Sequence, residues 1–217
     1  QEVLVFSLLI FASKNIYNYI LYQKKINLIF CFVCLNLLPW IKNEGYLFLI
    51  IFIISQFLII KKFPKKIEII SLIFLSILLL LFKKFLFLYY LDINLTHGGN
   101  INLTITINDF INYIKSIVTG FIIAVFKYKI WIFIFFSMFY FSMNKKINQK
   151  DDQFLNFLKI NMLLYLFLIL GIYFSVTDHI YGIQWWVDNS LDRILFQVSG
   201  IFLIYVVLAV NYLKIKF

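Results

Sequence analysis

The chain has 217 residues, of which 63% are hydrophobic and 21% aromatic, well above the apolar share of roughly 45–50% that soluble domains have. This composition excludes an ordinary soluble domain and indicates an all-helical protein that crosses a membrane several times. The formal net charge is +10, which in a soluble protein would suggest a nucleic-acid partner. Here the lysines cluster between apolar runs, so the positive-inside rule explains the charge and we expect membrane lipids, not nucleic acid, as partners.

The apolar runs predict seven membrane spans joined by short polar segments, in a polytopic transmembrane helical bundle. The predicted spans are residues 3–22, 26–41, 46–60, 67–82, 130–143, 154–176 and 194–212. Hydrophobic sequence begins almost at once, at Val3, without the positively charged start and cleavage site of a signal peptide, so we expect a fragment of a longer protein. Cys31 and Cys34 form a C-x-x-C without further ligands nearby, and we interpret them as two small buried hydrophobes.

A long region between the fourth and fifth spans, residues 91–127, differs from the rest of the chain. Its first part is rich in Asn and Thr, and the alternation over 101–108 is a weak strand signal. In 109–126, polar residues from Asn112 to Thr119 recur at helical spacing opposite a row of isoleucines. This periodicity predicts an amphipathic helix that lies in the membrane interface instead of crossing the bilayer.

The lysine clusters determine the predicted orientation. They occupy residues 24–25, 61–66, 145–150 and 214–216, and placing all four on the cytoplasmic side gives one consistent topology. The start of the chain, the 42–45 turn, the 83–129 region and the 177–193 loop then face outward. Seven of the ten acidic residues share that outer face with Arg193, the one arginine beside nineteen lysines. The sequence therefore predicts an outward-facing polar site.

Arg193 carries a planar fork that can hold a phosphate or carboxylate through two parallel bonds, which lysine cannot do. It ends the aromatic loop 177–193, in which Ser190 is predicted to cap the last helix. Further candidate site residues in this loop are Asp178, Trp185, Trp186 and Asp192. The two tryptophans fit either an interfacial aromatic belt or the wall of a sugar site, and both interpretations stay open.

The second polar element is the turn formed by Lys42, Asn43, Glu44 and Gly45 between two short spans. Spans of about 16 residues reach only ~24 Å at 1.5 Å per residue, so we expect the turn below the headgroup plane. Charged groups at such depth pair with one another or line a cavity. An ordinary polar turn is one interpretation. In the other, Lys42 binds an anionic headgroup, Asn43 lines the site, and Glu44 orients the headgroup or a divalent cation, the one cofactor considered.

Two motifs resemble elements of bacterial GT-C-fold membrane glycosyltransferases. The turn from Lys42 to Gly45 resembles their Thr-Lys-Asn-Glu-Gly-type turn, with Ile41 where relatives have Thr. Residues 189–197 are similar to their C-terminal Ser-Leu-Asp-Arg-Leu-Leu-Leu-Gln element, although the proline expected soon afterwards is replaced by Ser199 and Gly200. Glu2 resembles the acidic residue that opens a mid-protein helix in relatives of the protein mannosyltransferases and aminoarabinose transferases.

The resemblance implies that residues 1–217 are the C-terminal part of a single GT-C domain in a bacterial inner membrane. It implies transfer of a sugar from a polyprenyl-phosphate donor at the outer face to a lipid, glycan or protein acceptor. Arg193 and Lys42 would bind the donor phosphate, and Glu2 would line the site. Family members carry their general base in the first outer loop, so we expect it upstream of this fragment and identify no catalytic residue. One alternative is a transporter or flippase for lipid-linked glycans. Another, which the compositional bias alone permits equally, is a noncatalytic subunit of an AT-rich organellar complex.

Overall fold

The structure, a computed structural model, describes residues 1–42, 45–59, 66–86, 107–143, 149–175 and 182–214. All the secondary structure within these ranges is helical, so the all-α class is confirmed for the described residues. The helices are α1 (Glu2–Tyr22), α2 (Lys25–Ile41), α3 (Gly45–Ile59), α4 (Lys66–Phe85), α5 (Ile107–Lys127), α6 (Ile130–Met143), α7 (Gln149–Ser175) and α8 (Gly182–Lys214). Residues 101–106 of the weak strand signal lie outside the described residues. The last two residues of that signal, 107 and 108, are helical, because α5 begins at Ile107.

The last helix begins earlier than the sequence predicts. α8 starts at Gly182, so the prediction of a loop through residue 193 is wrong, and Ser190 lies inside the helix instead of capping it. The physical reason is that the apolar residues of this segment follow a helical periodicity, which is hard to recognise in the sequence because polar residues stand between them. Val187, Leu191 and Ile194 are buried at spacings of four and three residues, while the polar side chains between them face outward.

Two of the described helices are long and apolar enough to cross a membrane, Glu2–Tyr22 and Val187–Leu208. The number rises to three if Ile111–Lys127 and Trp131–Phe139, which meet at 97°, form one broken span. Large apolar side chains are exposed on several helices, Phe74 of α4 by 62% for example. Lipid is the solvent that tolerates such a surface. These features support a membrane protein, and they do not establish the seven predicted spans.

α1 and α8 pack side by side and run in the same direction. The rings of Phe6 and Phe196 stack with centroids 5.2 Å apart. One turn further along both helices, Gly200 lies against Ile10, where an added Cβ would come within 2.7 Å of Cγ1. Glycine at this position allows the two helices to approach closely. The start of α1 is therefore held beside the stretch of α8 that carries Arg193.

Two further pairs of neighbouring helices are antiparallel. α2 returns along α1, so its last residues lie beside Glu2. α7 is antiparallel to α3, since Phe48 meets Tyr165 and Phe52 meets Phe157 in edge-on ring contacts. As a result, the beginning of α1, the end of α2 and the Arg193 segment of α8 share one end of the bundle.

Candidate functional site

Three charged side chains from separate helices meet at this end of the bundle, and we call them the Glu2 cluster. Lys42 Nζ donates a hydrogen bond to Glu2 Oε1 at 2.8 Å, and Arg193 Nη1 lies 3.9 Å from the same oxygen. The side chains of Lys42 and Glu2 are 15% and 25% exposed, whereas that of Arg193 is 56% exposed. The carboxylate therefore holds Lys42 firmly and Arg193 loosely.

Helix termini position the first two members of the Glu2 cluster. Glu2 is the first residue of α1, where a negative charge is favoured by the helix dipole. Lys42 follows the last residue of α2 in an extended conformation with φ −154° and ψ 148°, which ends the helix. A positive charge at that terminus is favoured for the same reason. The two opposite charges thus lie where two antiparallel helices present their complementary ends.

The start of α3 requires glycine at residue 45. Gly45 N–H donates to the carbonyl of Lys42 at 3.0 Å. A Cβ on Gly45 would lie 2.2 Å from the backbone oxygen of Leu38, far inside van der Waals contact. Because the obstacle is backbone, it cannot move aside as a side chain could. The start of α3 therefore packs directly against the last turn of α2, next to Lys42.

A cavity of about 420 Å³ lies beside the Glu2 cluster. Its lining combines charged and aromatic residues from α1, α6, α8 and the α5–α6 junction: Glu2, Phe6, Tyr128, Trp131, Asp192, Arg193, Phe196, Ser199 and Leu203. From Arg193 to Leu203 the lining follows α8 for ten residues, or about 15 Å. The charges lie at one end of this path and the rings and aliphatic side chains along the rest. The cavity is therefore complementary to an amphiphilic ligand, with a charged end and an apolar remainder.

A second charged group, the Asp192 cluster, borders the same cavity. Lys127 Nζ lies 2.7 Å from Asp192 Oδ2, and the Tyr128 hydroxyl donates to the same oxygen at 3.3 Å. The hydrogen bond to Asp192, together with its negative charge, raises the pKa of the Lys127 ammonium above its usual value. Asp192 is thus engaged with the end of α5, while its neighbour Arg193 points toward Glu2.

The predicted site residues are placed as follows. The cavity is lined by Arg193, Glu2 and Asp192. Lys42 lies behind this lining and is hydrogen-bonded to Glu2. Trp185 is 43% exposed and is not among the described residues that line the cavity; Trp131 supplies the indole ring there. The predictions for Asn43, Glu44, Asp178 and the side chain of Trp186 fall outside the residues that the structure describes.

Sequence reasoning missed the aromatic wall of the cavity and one buried lysine. Tyr128 lies in the short break between α5 and α6, and Trp131 is the second residue of α6. One of only four tryptophans in the chain, two residues after a Lys-Tyr-Lys segment, is the signal that could have indicated this part of the wall. Lys83 is 3% exposed, donates a hydrogen bond to the Pro39 carbonyl, and lies 4.7 Å from the ring centre of Tyr46. In the sequence it is one of two adjacent lysines at the end of a predicted span, with nothing to distinguish it.

Within the described parts of the chain, no group of three or more His, Cys, Asp or Glu side chains is arranged to hold a metal ion. No protein-family model, curated protein or solved structure matches the chain. The chemistry of the site must therefore be argued from its own residues. These provide a guanidinium and an ammonium around one carboxylate, at the charged end of an apolar cavity.

Proposed function

We propose that this protein is a membrane glycosyltransferase of the GT-C type that binds a polyprenyl-phosphate-linked sugar in the cavity beside the Glu2 cluster. In this proposal the sugar is transferred at the outer face of a bacterial inner membrane to a lipid, glycan or protein acceptor. One observation supports it above the others: an apolar cavity that follows α8 for about 15 Å ends at a half-exposed arginine.

The shape and polarity of the cavity suit a phosphorylated lipid. The hydrocarbon chain would contact Phe6, Trp131, Phe196 and Leu203. The hydrophobic effect is non-directional, so these side chains can bury a lipid chain without a specific contact geometry. Arg193 would hold the phosphate. Its 3.9 Å approach to Glu2 is longer than a hydrogen bond, so its donors remain available to a ligand in the cavity.

The other charged residues would have supporting roles. Lys42 would add a second positive charge near the phosphate, and Glu2 would keep both cations on the same side of the cavity. Glutamate at this position also counters the repulsion between the two cations before the donor binds. We assign no general base among the described residues.

The proposed membrane arrangement has seven spans with α5 near the plane of the outer interface. The 97° angle between the described parts of α5 and α6 supports it, since α5 must lie flat if α6 crosses. α5 also exposes both polar and apolar residues: Lys115 and Asn112 on the one hand, Ile122 and Phe126 on the other. A helix with such a mixed surface fits an interface better than the bilayer core.

A transporter or flippase for lipid-linked glycans is the second candidate. The break between α5 and α6 favours it, because transporters commonly use discontinuous helices at their binding sites. The two candidates differ in their products. A transferase forms a new glycosidic bond, whereas a flippase only moves the lipid-linked sugar from one leaflet to the other.

The test uses the full-length protein reconstituted in vesicles with a radiolabelled polyprenyl-phosphate sugar. We expect Arg193→Lys to reduce transfer and Arg193→Ala to reduce it further. Loss of a charge-assisted hydrogen bond is worth about 1.5–3 kcal/mol, which corresponds to roughly 10–150-fold in donor use. Lys115→Ala, an exposed lysine of α5 away from the cavity, is the control and should leave transfer unchanged.

Three outcomes separate the hypotheses. Loss of transfer in Arg193→Ala, with normal protein level in the membrane, supports the transferase. Movement of the donor across the bilayer without a glycosylated product supports the flippase. Equal activity in Arg193→Ala and wild type would contradict the role of Arg193 in either candidate and leave it as a partner of Glu2.

A further inference from the structure

Lys83 occupies an unusual environment for a lysine. It is 3% exposed, near the end of α4, and its ammonium lies 4.7 Å from the ring centre of Tyr46 and 5.5 Å from that of Trp40. Burying an ammonium costs free energy unless hydrogen bonds or aromatic faces compensate it. Its neighbour Lys84 is exposed, as expected for a lysine at the end of a predicted span. A specific interaction therefore holds Lys83 inward.

That interaction joins α4 to the end of α2. Lys83 Nζ donates to the carbonyl of Pro39, one of the last four carbonyls of α2, which have no donor within their own helix. Lysines near a helix C-terminus satisfy such carbonyls and are favoured by the helix dipole. Here the lysine comes from a different helix, 44 residues along the chain. α4 thus caps α2.

The last turn of α2, which Lys83 caps, leads directly to Lys42. Pro39 precedes Lys42 by three residues, less than one helical turn. Trp40 and Tyr46, whose rings face Lys83, lie on either side of Lys42 in sequence. Lys83 therefore contacts both the end of α2 and the start of α3, and Lys42 projects from the end of α2 to Glu2.

We propose that Lys83 is a positioning residue for the Glu2 cluster: by binding the Pro39 carbonyl and contacting the rings of Trp40 and Tyr46, it fixes the end of α2 and keeps Lys42 against Glu2. Lys83 does not line the cavity, in so far as its lining is described, so it acts through Lys42. The consequence for phosphate binding rests on the proposed function, whereas the positioning itself does not.

The test measures how fast Lys42 reacts with an isotope-labelled acylating reagent, read by mass spectrometry on the vesicle-reconstituted protein. In the wild type, Lys42 is mostly buried and bonded to Glu2, so its labelling should be slow. Lys83→Met keeps an unbranched side chain that reaches as far as the lysine Cε, and it removes the charge and the donor. We expect Lys42 to label about tenfold faster, as loss of a charge-assisted hydrogen bond implies.

Lys84→Met is the matched control, because it removes the adjacent but exposed ammonium, and it should leave the Lys42 rate unchanged. The rates of exposed Lys25 and Lys115 report on the rest of the fold and should not change in either variant. An unchanged Lys42 rate in Lys83→Met would overturn the proposal. A rise shared equally by Lys42, Lys25 and Lys115 would also overturn it, since it would indicate general loosening.

A second variant covers the case in which Lys83→Met does not accumulate. Tyr46→Leu retains the bond from Lys83 to Pro39 and removes the nearer ring, so we expect about a threefold faster Lys42 rate. No change there would equally refute the positioning role.

Binding of sugar-free polyprenyl phosphate separates this inference from the proposed function. If Lys83→Met accelerates Lys42 labelling and weakens lipid binding, both stand. If labelling accelerates while the lipid binds as before, Lys83 positions Lys42 but Lys42 does not bind the phosphate. In that event the part of the proposed function that concerns Lys42 fails and the positioning role stands.

Discussion

The Glu2 cluster and the Asp192 cluster border the same cavity, yet they are built differently. Each contains one short ion pair, 2.8 Å between Lys42 and Glu2 and 2.7 Å between Lys127 and Asp192. The side chains of the first pair are 15% and 25% exposed, and those of the second are 57% and 33% exposed. Water screens an exposed pair and leaves its side chains free to move. Equal distances therefore do not mean equal contributions to stability or to the geometry of the site.

The two clusters also differ in how the backbone beneath them is packed. Gly45, beside the Glu2 cluster, faces the backbone of Leu38, whereas Gly120, on the α5–α8 contact below the Asp192 cluster, faces the side chain of Val187. An added Cβ would come within 2.2 Å of the obstacle in both cases. A side chain can change its rotamer, but a helical carbonyl cannot move without its helix. The Glu2 cluster thus has the more rigid support.

The largest expected effect comes from this difference in backbone packing. Gly45→Ala should lower the free energy of unfolding by about 3 kcal/mol, because the start of α3 must move away from the backbone of α2 to accommodate the methyl group. Gly120→Ala should cost less, about 1 kcal/mol, since only one methyl group of Val187 has to shift away from its preferred rotamer. Denaturant unfolding in detergent, followed by tryptophan fluorescence, measures both. Equal losses in the two variants would show that the turn is as adaptable as the helix contact.

A smaller effect is expected from the ion pairs themselves. Lys42→Met leaves the part-buried carboxylate of Glu2 without its closest partner and should lower the free energy of unfolding by about 2 kcal/mol, less than for a fully buried pair. Lys127→Met should leave the midpoint of unfolding unchanged, because Lys127 is exposed. The two variants make the same chemical change, so each serves as the control for the other. A larger shift for Lys127→Met would reverse the comparison.

The sequence predicted the helices well where apolar residues are continuous, and less well where they are interrupted. α1 and α2 begin and end within about a residue of the predicted spans 3–22 and 26–41, because hydrophobic runs and lysine pairs delimit them. α8 begins twelve residues before its predicted span at 194. Asp188, Asn189 and Asp192 break the apolar run there, although they occupy only the outer side of a regular helix.

The Glu2 cluster could be anticipated in part from the sequence. The alternation of lysine-rich loops placed Glu2, Lys42 and Arg193 on one face, and the structure brings these three within one ion-pair network. Most of the wall of the cavity could not be anticipated. With 27 phenylalanines, the sequence offers too many phenyl rings for any one to be informative, and only packing singles out Phe6 and Phe196. Lys83 was hidden for a similar reason, since Lys84 beside it is identical in kind.

The smallest expected effect concerns the contact between Arg193 and Glu2. At 3.9 Å, with the arginine side chain 56% exposed, their coupling free energy should be below about 0.5 kcal/mol. A double-mutant cycle with Glu2→Gln and Arg193→Gln measures it, and a parallel cycle with Glu2→Gln and Lys42→Gln should give about 1–2 kcal/mol. In roughly 1 M salt the first coupling should disappear, because the screening length falls to about 3 Å, while the second should largely persist.

A weak Arg193–Glu2 coupling is what a binding role for Arg193 requires, since an arginine strongly held by Glu2 would have to break that bond before it could hold a phosphate. A coupling as large as that of Lys42 would instead make Arg193 part of the structural support of α1, and the phosphate would then have to be bound by other residues.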